Sequence, residues 1–204
     1  MTDLPALIDD IRACRHCADR FAATASAHAP NPVLRVSATA PICIAGQAPG
    51  IRVHNSGVPF TDPSGVRLRA WMGVDEATFY DTARISIAPM AFCFPGHTAR
   101  RADLPPPKDC ARLWRAPLFE ALPAIRLILL VGKAAQDWHL EDRAGMAERV
   151  RGWTDAPLTQ SDVELIPLPH PSWRNNAWLK ANPWFETDTL PRLRASLSRH
   201  LPCS

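Results

Sequence analysis

The sequence predicts a three-layer α/β/α protein, in which helices cover both faces of a central sheet of four parallel strands. Four short apolar runs alternate with helical patterns along the 204 residues, which is typical of a parallel sheet. The runs are continuously apolar, as strands buried on both faces require. Because 47% of the residues are hydrophobic, one domain over residues 1–204 with its own core is expected.

The helices are predicted from apolar spacing and capping residues. Leucine and isoleucine recur at helical spacing over residues 4–13. Asp62 as N-cap and Pro63 at the first helical position predict a second helix, which ends near Met72. Further helices are expected at residues 110–121, 134–139, 141–151 and 184–200.

The strands and two irregular segments complete the predicted order of elements. The strands are expected at residues 41–45, 84–89, 126–131 and 163–168. Residues 22–40, rich in Ala, Pro and Ser, form a connection, and residues 93–110 form a long, proline-rich loop. Loops of that length are usually functional or held in place by a bound group.

Composition excludes some classes of protein and permits others. The net charge of +3 permits nucleic-acid binding without demanding it. Lysine occurs only three times among 23 basic residues, and the excess of arginine suits bidentate phosphate contacts or reflects a GC-rich genome. No run is long enough to span a membrane, and the N-terminus lacks the layout of a secretory signal, so a cytoplasmic location is expected.

Three clusters of residues carry most of the chemistry. Residues 46–50, Gly-Gln-Ala-Pro-Gly, follow the first predicted strand and present backbone N–H groups at the carboxyl edge of the sheet. Residues 57–62, Gly-Val-Pro-Phe-Thr-Asp, add an aromatic ring and a carboxylate. Residues 170–175, His-Pro-Ser-Trp-Arg-Asn, add an imidazole, a hydroxyl, an indole and a guanidinium. Together these groups suit an extruded nucleobase and its flanking phosphates.

The clusters resemble the motifs of the uracil-DNA glycosylase superfamily over most of the chain. Residues 46–50 are similar to its first active-site motif, and residues 57–60 to the segment whose ring stacks on uracil. Residues 170–172 are similar to the second motif, and the following Arg174-Asn175 resembles the single-strand-selective branch. The resemblance implies hydrolysis of the N-glycosidic bond of uracil in DNA, which leaves an abasic site.

The resemblance also implies roles for individual residues. Phe60 would stack on the base, unless it is only a core residue ahead of a helix. His170 would donate a hydrogen bond to uracil O2 while negative charge develops on the leaving base. Trp173 would enter the duplex as a wedge, unless it packs in the core, and Arg174 would bind phosphates. The further residues expected at the substrate are Gly46, Ala48, Ser172 and Asn175.

The chain departs from the family pattern at its first motif. The iron–sulfur branch has a glutamate at the second position, and the main branch an aspartate at the third, whereas this chain has Gln47 and Ala48. The nearest carboxylate is Asp62, and a branch of broader base specificity has an aspartate at a similar place beyond the stacking ring. Asp62 therefore either orients the water or acts only as a helix cap. Gln47 and the backbone of the turn could hold the water or uracil O2.

A second departure concerns recognition of the base. Related enzymes carry an asparagine at the end of the second strand, but residues 88–93 read Ala-Pro-Met-Ala-Phe-Cys. Selectivity would then rest on backbone groups, on one of two asparagines after the second motif, or on the segment between the first two clusters. The residues concerned are Asn175, Asn176, His54 and Asn55. Hypoxanthine and xanthine remain open as substrates.

Four cysteines resemble those of the iron–sulfur uracil-DNA glycosylases. Cys14 and Cys17 lie near the N-terminus, and Cys93 and Cys110 flank the long loop, so that residues 14–17 and 93–110 form a metal-cluster subregion. The resemblance implies a structural [4Fe–4S] cluster, although zinc accepts the same ligands and the thiols could be unmetallated. Cys43 is expected in the core, and the sixth cysteine, in the C-terminal tail, has no evident role.

The sequence thus predicts a monomeric DNA-repair glycosylase that acts on uracil in single- or double-stranded DNA. One alternative is a non-catalytic or covalent binder of uracil-containing DNA on the same fold. Another is a small iron–sulfur electron carrier, which does not account for the His-Pro-Ser motif.

Overall fold

The computed structural model describes residues 3–160 and 162–201, and a five-stranded sheet forms its centre. The strands are β1 Ile42–Ala45, β2 Ile85–Ile87, β3 Leu127–Val131, β4 Leu158–Gln160 and β5 Val163–Leu168. Their order is β2-β1-β3-β5-β4. All pairs are parallel except β4 with β5, which is antiparallel. The α/β class is confirmed, but the predicted count of four strands was wrong because β4 adds a short edge strand.

Helices surround this sheet in the described residues. They are α1 Leu4–Ala13, α2 Ala18–Ala22, α3 Ile51–Ser56, α4 Pro63–Met72, α5 Glu76–Tyr80, α6 Lys108–Glu120, α7 Lys133–Leu140, α8 Met146–Asp155, α9 Asn176–Ala181 and α10 Leu190–Ser198. A 3₁₀ turn at Trp173–Asn175 precedes α9, and a π-helical turn at Phe185–Thr189 precedes α10. None of these helices has the length and apolar character that a membrane-spanning segment needs.

Some boundaries differ from those predicted. The helix expected over residues 141–151 is shifted towards the C-terminus as α8, and the one expected over 184–200 starts with the π-helical turn. The long loop ends before Lys108, so Cys110 lies in the first turn of α6 rather than beside a loop. The short helices α2, α3, α5 and α9 were not predicted.

The helices form two layers because alternate strand residues point to opposite faces. Ile42 and Ile44 of β1 pack in a core with side chains of α4, α5, α8 and α10. Cys43 and Ala45 pack in a second core with side chains of α1, α6 and α7. This alternation explains why the parallel strands are apolar throughout.

The topology brings several loops to one edge of the sheet. In the sheet, β2 lies on one side of β1 and β3 lies on the other. The carboxyl ends of β1 and β3 therefore border a switch point, where open α/β sheets bind their ligands. Because β5 is parallel to β3, the chain after β5 also emerges at this edge.

The segment before β1 covers one outer edge of the sheet. Arg35 forms an antiparallel bridge with Ile87 of β2. Two residues before Arg35, the Val33 N–H donates to the carbonyl of Phe92 over 2.7 Å. The outer edge of β2 is thus hydrogen-bonded to the segment before β1, although that segment forms no regular strand.

Candidate active site

A cavity of about 800 Å³ opens at the carboxyl edge of the sheet. Residues from all three clusters and from the long loop line it: 46–50, Pro59, Phe60, 62–64, 103–106 and 170–175. Every predicted catalytic, substrate-binding and DNA-binding residue therefore lies at one site. The volume is within the usual range for a small-molecule pocket.

The turn after β1 is fixed by its backbone. The carbonyl of Gly46 accepts from the Met90 N–H at 2.8 Å, and that of Gln47 from the Ala91 N–H at 3.0 Å. The Gln47 side chain lies against Gly132, whose φ is +87° and where a Cβ would stand 2.5 Å from Gln47 Nε2. The glycine after β3 thus makes room for the glutamine amide at the cavity.

The Phe60 ring is held by contacts on several sides. Its backbone has a φ of 57°, unusual for a bulky residue. The Tyr80 hydroxyl donates to the Pro59 carbonyl over 2.8 Å, which fixes the preceding residue. The ring meets Phe79 edge-to-face at 5.9 Å, and it approaches the first turn, where a Cβ on Gly46 would stand 3.5 Å from Phe60 Cζ. Phe60 therefore joins the edge of the core to the cavity.

Asp62 caps α4 and lines the cavity at the same time. Its Oδ1 accepts a hydrogen bond from the Gly65 N–H at 3.3 Å, as expected for an N-cap. Its charge also acts on the His170 ring. The two roles proposed for this carboxylate are thus compatible, because capping uses only one of its oxygens.

His170, after β5, is held as a neutral ring with a defined tautomer. The Ser172 N–H donates to Nδ1 at 3.2 Å, so the ring proton belongs on Nε2. Burial lowers the pKa of His170 below its ordinary value. The charge of Asp62 raises this pKa and the charge of Arg174 lowers it, both by less than burial does. The Asn175 Nδ2 donates to the His170 carbonyl at 2.7 Å, so this amide holds the loop.

The rim of the cavity carries an exposed indole and a guanidinium. Trp173 is 73% exposed, which contradicts a core position. The Arg174 guanidinium lies 5.9 Å from the centre of the Trp173 ring and 3.7 Å from Asp103 Oδ2. Asp103 in turn lies 3.2 Å from His97 Nε2.

Two functional residues of this site were not predicted. Asp103 lines the cavity from the long loop, and its charge acts on His170. Arg67 of α4 donates to the Ser172 carbonyl at 3.3 Å and to Asn176 Oδ1 at 2.8 Å, and so holds the second motif. The side-chain oxygen of Asn176 is thereby hydrogen-bonded to Arg67. Neither residue gives a signal in the sequence, since both act through tertiary contacts.

The four predicted metal-binding cysteines line a second, apolar cavity. Cys14, Cys17, Cys93 and Cys110 all border it. It measures only about 20 Å³, room for little more than a water molecule.

Burial dominates the electrostatics of these thiols. It raises the pKa of Cys93 to about 12 and that of Cys110 to about 11, and the charges of Cys14 and Cys17 add to both shifts. The Phe92 N–H donates to Cys110 Sγ at 3.4 Å. Cys43 is fully buried in β1, where the sequence places it, and residue 203 lies outside the described residues.

The cysteines are not arranged around one point. Within residues 3–160 and 162–201, no group of three or more His, Cys, Asp or Glu side chains is placed to hold a single metal ion. A tetrahedral zinc ion needs its ligands at one centre. A [4Fe–4S] cluster takes four cysteine thiolates, each on a different iron.

The family model of the uracil DNA glycosylase superfamily matches residues 35–194. The match includes every predicted catalytic, substrate-binding and DNA-binding residue of the larger cavity, together with Cys93 and Cys110. It begins after Cys14 and Cys17.

Proposed function

The chain belongs to the uracil DNA glycosylase superfamily, and from this premise we propose that it hydrolyses the N-glycosidic bond of uracil in DNA and leaves an abasic site. The observation that carries the proposal is the single cavity in which the Phe60 ring, the His170 imidazole and the turn after β1 meet. Its volume of about 800 Å³ accommodates a flipped nucleobase and part of its sugar.

Phe60 stacks on the flipped base in this proposal. Extrusion of a base costs a few kcal/mol, and stacking on an aromatic side chain offsets part of that cost. The backbone contacts of Pro59 and the packing of the ring on Phe79 keep the ring in place before the base arrives. A preorganised ring loses little conformational entropy on binding.

His170 stabilises the leaving group. Because Nδ1 accepts the Ser172 N–H, the proton on Nε2 is available for O2 of the departing uracil. A neutral donor serves here since burial keeps the ring unprotonated near neutral pH. Removal of such a donor typically costs about 10²- to 10³-fold in rate.

Asp62 orients the attacking water and stabilises the positive charge that develops on the sugar. Its second oxygen remains for this role while the first caps α4. Gln47 and the turn backbone complete the water site. Neither Gln47 nor Ala48 can act as a base, so the carboxylate comes from the second cluster rather than the first.

The rim binds DNA. Trp173 is exposed enough to fill the space that the extruded base leaves in the duplex. Arg174 exchanges its contact with Asp103 for a phosphate. Binding that depends on phosphates weakens linearly, on logarithmic scales, with rising salt.

Base selectivity is broad in this proposal. The end of β2 places Pro89 at the cavity, and this residue has no side-chain amide to read uracil. The Nδ2 of Asn175 and the Oδ1 of Asn176 are engaged within the protein. Gln47 and backbone groups are left to read the base, and both also fit hypoxanthine and xanthine.

We further propose that Cys14, Cys17, Cys93 and Cys110 hold a [4Fe–4S] cluster. The donor set is of the right kind, since all four thiols border one apolar cavity and four cysteine thiolates are the ligands of such a cluster. The cluster would supply structural support for the N-terminal segment and the long loop. Anaerobic purification followed by an iron and sulfide assay tests this, and stoichiometric zinc without iron would overturn it.

One observation favours a second function. The turn after β1 lacks a carboxylate, and a chain that flips uracil without efficient hydrolysis would act as a non-catalytic or covalent binder of uracil-containing DNA. This alternative uses the same cavity and the same DNA contacts.

Oligonucleotides that carry uracil, hypoxanthine or xanthine, in single and double strands, distinguish the two functions. The glycosylase releases free base and leaves sites that alkali cleaves. A covalent binder instead gives a protein–DNA band on a denaturing gel, and a non-catalytic one gives only a shift on a native gel. Unmodified DNA is the control. If no substrate is cleaved and none is bound at low salt, both functions are excluded.

A further inference from the structure

Four exposed arginine side chains have no hydrogen bond or ion pair to any residue that the structure describes. They are Arg52, Arg100, Arg101 and Arg143. Most other arginines of the chain donate to a carboxylate or a carbonyl, whereas these four keep the planar fork of the guanidinium open to an anion. A single exposed arginine is usually only a solvated cation, so the positions of the four decide what they can bind.

Two of the four lie at the tip of a hairpin in the long loop. Residues 96–104 form this hairpin, because the Thr98 N–H donates to the Ala102 carbonyl at 2.8 Å. A second backbone hydrogen bond, of 2.9 Å, joins the last residue of the hairpin to the first. Arg100 and Arg101 occupy the turn between the two arms, where both are exposed.

The hairpin is fixed both at its base and beside the second motif. At the base, the His97 N–H donates to Ser26 Oγ at 3.2 Å, and the His97 carbonyl accepts from the Ala25 N–H at 3.3 Å. On the other arm, Asp103 lines the larger cavity and lies 3.7 Å from the Arg174 guanidinium. The tip is therefore held close to the rim of the cavity, two residues from a side chain that lines it.

The backbone of Arg101 is in an unusual conformation. Its φ is 59°, in the left-handed region where glycine or asparagine is the ordinary choice. An arginine is strained there, and its side chain gains no hydrogen bond from the described residues in return. Strained residues of this kind concentrate at functional sites. The conformation thus indicates a partner outside the chain.

We propose that Arg52, Arg100 and Arg101 bind phosphates of the DNA strand that carries the flipped base. This inference rests on the proposed function, since it assumes that the flipped nucleotide lies in the larger cavity. Arg52 lines that cavity from α3, and the hairpin supplies part of its wall. The strand on either side of the flipped nucleotide has to cross this rim, and arginine is the side chain best suited to bidentate phosphate contacts.

The fourth arginine, Arg143, serves as the matched control. It is exposed and has no partner among the described residues, but it does not line the cavity. It lies between α7 and α8, and α7 begins after the carboxyl end of β3 and leads away from it.

The salt dependence of DNA binding tests the proposal. R100Q/R101Q and R52Q remove charges at exposed positions, R100K/R101K retains the charge, and R143Q is the control. The probe is a fluorescent single-stranded oligonucleotide with one 2′-fluoro-deoxyuridine, whose electron-withdrawing fluorine slows hydrolysis, together with its duplex. Fluorescence anisotropy at several salt concentrations gives the slope of log affinity against log salt.

Each phosphate contact on a single strand contributes about 0.7 to this slope. R100Q/R101Q should therefore reduce the magnitude of the slope by about 1.4, and R52Q by about 0.7. At 0.1 M salt the affinity of the double variant should fall at least about tenfold. R100K/R101K and R143Q should keep the slope of the wild type.

The possible outcomes separate this inference from the proposed function. A wild type that binds the oligonucleotide, with an unchanged slope in R100Q/R101Q, would overturn the role of the hairpin and leave the proposed function in place. An equal loss in R143Q would show an effect of net charge rather than of position, against the proposal. An effect confined to the duplex would place the hairpin on the complementary strand, which also contradicts it. A wild type that neither binds nor cleaves DNA would end the proposed function itself.

Discussion

At the scale of single residues, a backbone hydrogen bond determines which ring nitrogen of His170 carries the proton. The N–H of Ser172 fixes the tautomer, and burial keeps the ring neutral. A proline between these two residues gives the tight turn that brings the N–H back to the imidazole. The motif His-Pro-Ser therefore places an Nε2–H donor at the cavity.

Replacement of His170 by alanine is expected to lower single-turnover cleavage by about 10²- to 10³-fold, because the donor to the leaving base is lost. DNA binding should change little, since the rim contacts remain. Quenched-flow cleavage of a uracil oligonucleotide measures the rate. His200→Ala is the control, since the pKa of His200 is also lowered by burial but the residue does not line the cavity. Unchanged cleavage in His170→Ala would remove this residue from the mechanism.

Variants of Asp62 separate catalysis from capping. Asn and Ser cap helices about as well as Asp, so Asp62→Asn and Asp62→Ser should keep the free energy of unfolding nearly unchanged. Both should lose at least about 10²-fold in cleavage rate, since neither can act on the water as a base. Asp62→Ala should lose activity and, in addition, about 1 kcal/mol of stability. Full activity of both capping variants would show that the water is positioned in another way.

At the scale of elements, the start of α4 determines where Phe60 lies. The first turn of the helix passes so close to the preceding segment that a Cβ on Gly65 would stand 1.8 Å from the Phe60 carbonyl oxygen. The same oxygen accepts from Arg69 Nη1 at 3.4 Å. Only glycine allows this contact, so the position of the Phe60 ring depends on the start of the helix.

Gly65→Ala should therefore displace Phe60, with a cost of about 1–3 kcal/mol in stability and weaker binding of the flipped base. Gly152→Ala is the matched control, because Gly152 is exposed in α8 and a Cβ there meets nothing within 4 Å. In a helix interior that change should stabilise the protein by up to about 1 kcal/mol. Urea unfolding and a cleavage assay measure both effects. Equal stability of the two variants would contradict the close packing at Gly65.

The elements with strong local signals were predictable. Asp62 and Pro63 mark the start of α4 by their capping and backbone chemistry, and Gly73, in the left-handed conformation, follows its end. The parallel strands were recognisable as apolar runs. In contrast, β4 is a three-residue edge strand with two exposed residues, and so short a segment has no pattern.

The site was predictable as far as motifs define it. Phe60 and His170 follow recognisable turns, and the topology brings them to one cavity. Asp103 and Arg67 were missed because they act through tertiary contacts with the second motif and its loop. A loop carboxylate and a helical arginine give no pattern in a sequence that would mark them as parts of a site.

At the scale of the whole molecule, buried neutral histidines make the fold sensitive to acid. The pKa of His139 falls from an ordinary 6.5 to about 3 on folding. Below pH 6.5 the unfolded chain thus binds a proton that the folded chain does not bind, and stability decreases as the pH falls towards 3. Each pH unit in this window costs about 1.4 kcal/mol for one such group.

His139→Gln should weaken this dependence, since glutamine accepts from Arg115, the hydrogen-bond partner of His139 Nε2, without titrating. Urea unfolding at pH 7, 5.5 and 4.5 gives the free energies for both proteins. The difference between them removes the contribution of carboxylates, which the proteins share. Parallel stability curves would mean that His139 does not titrate in this range.

The pairing of Arg35 with Ile87 also affects whether separate molecules can associate through the edges of their sheets. An unpaired outer strand is a template on which another chain can grow a cross-β assembly. Here the outermost parallel strand has a partner from its own chain, and the opposite border is a three-residue strand with Thr159 and Gln160 exposed. Neither border offers a long apolar ladder, so crowding on a DNA strand should not drive the molecules into fibrils.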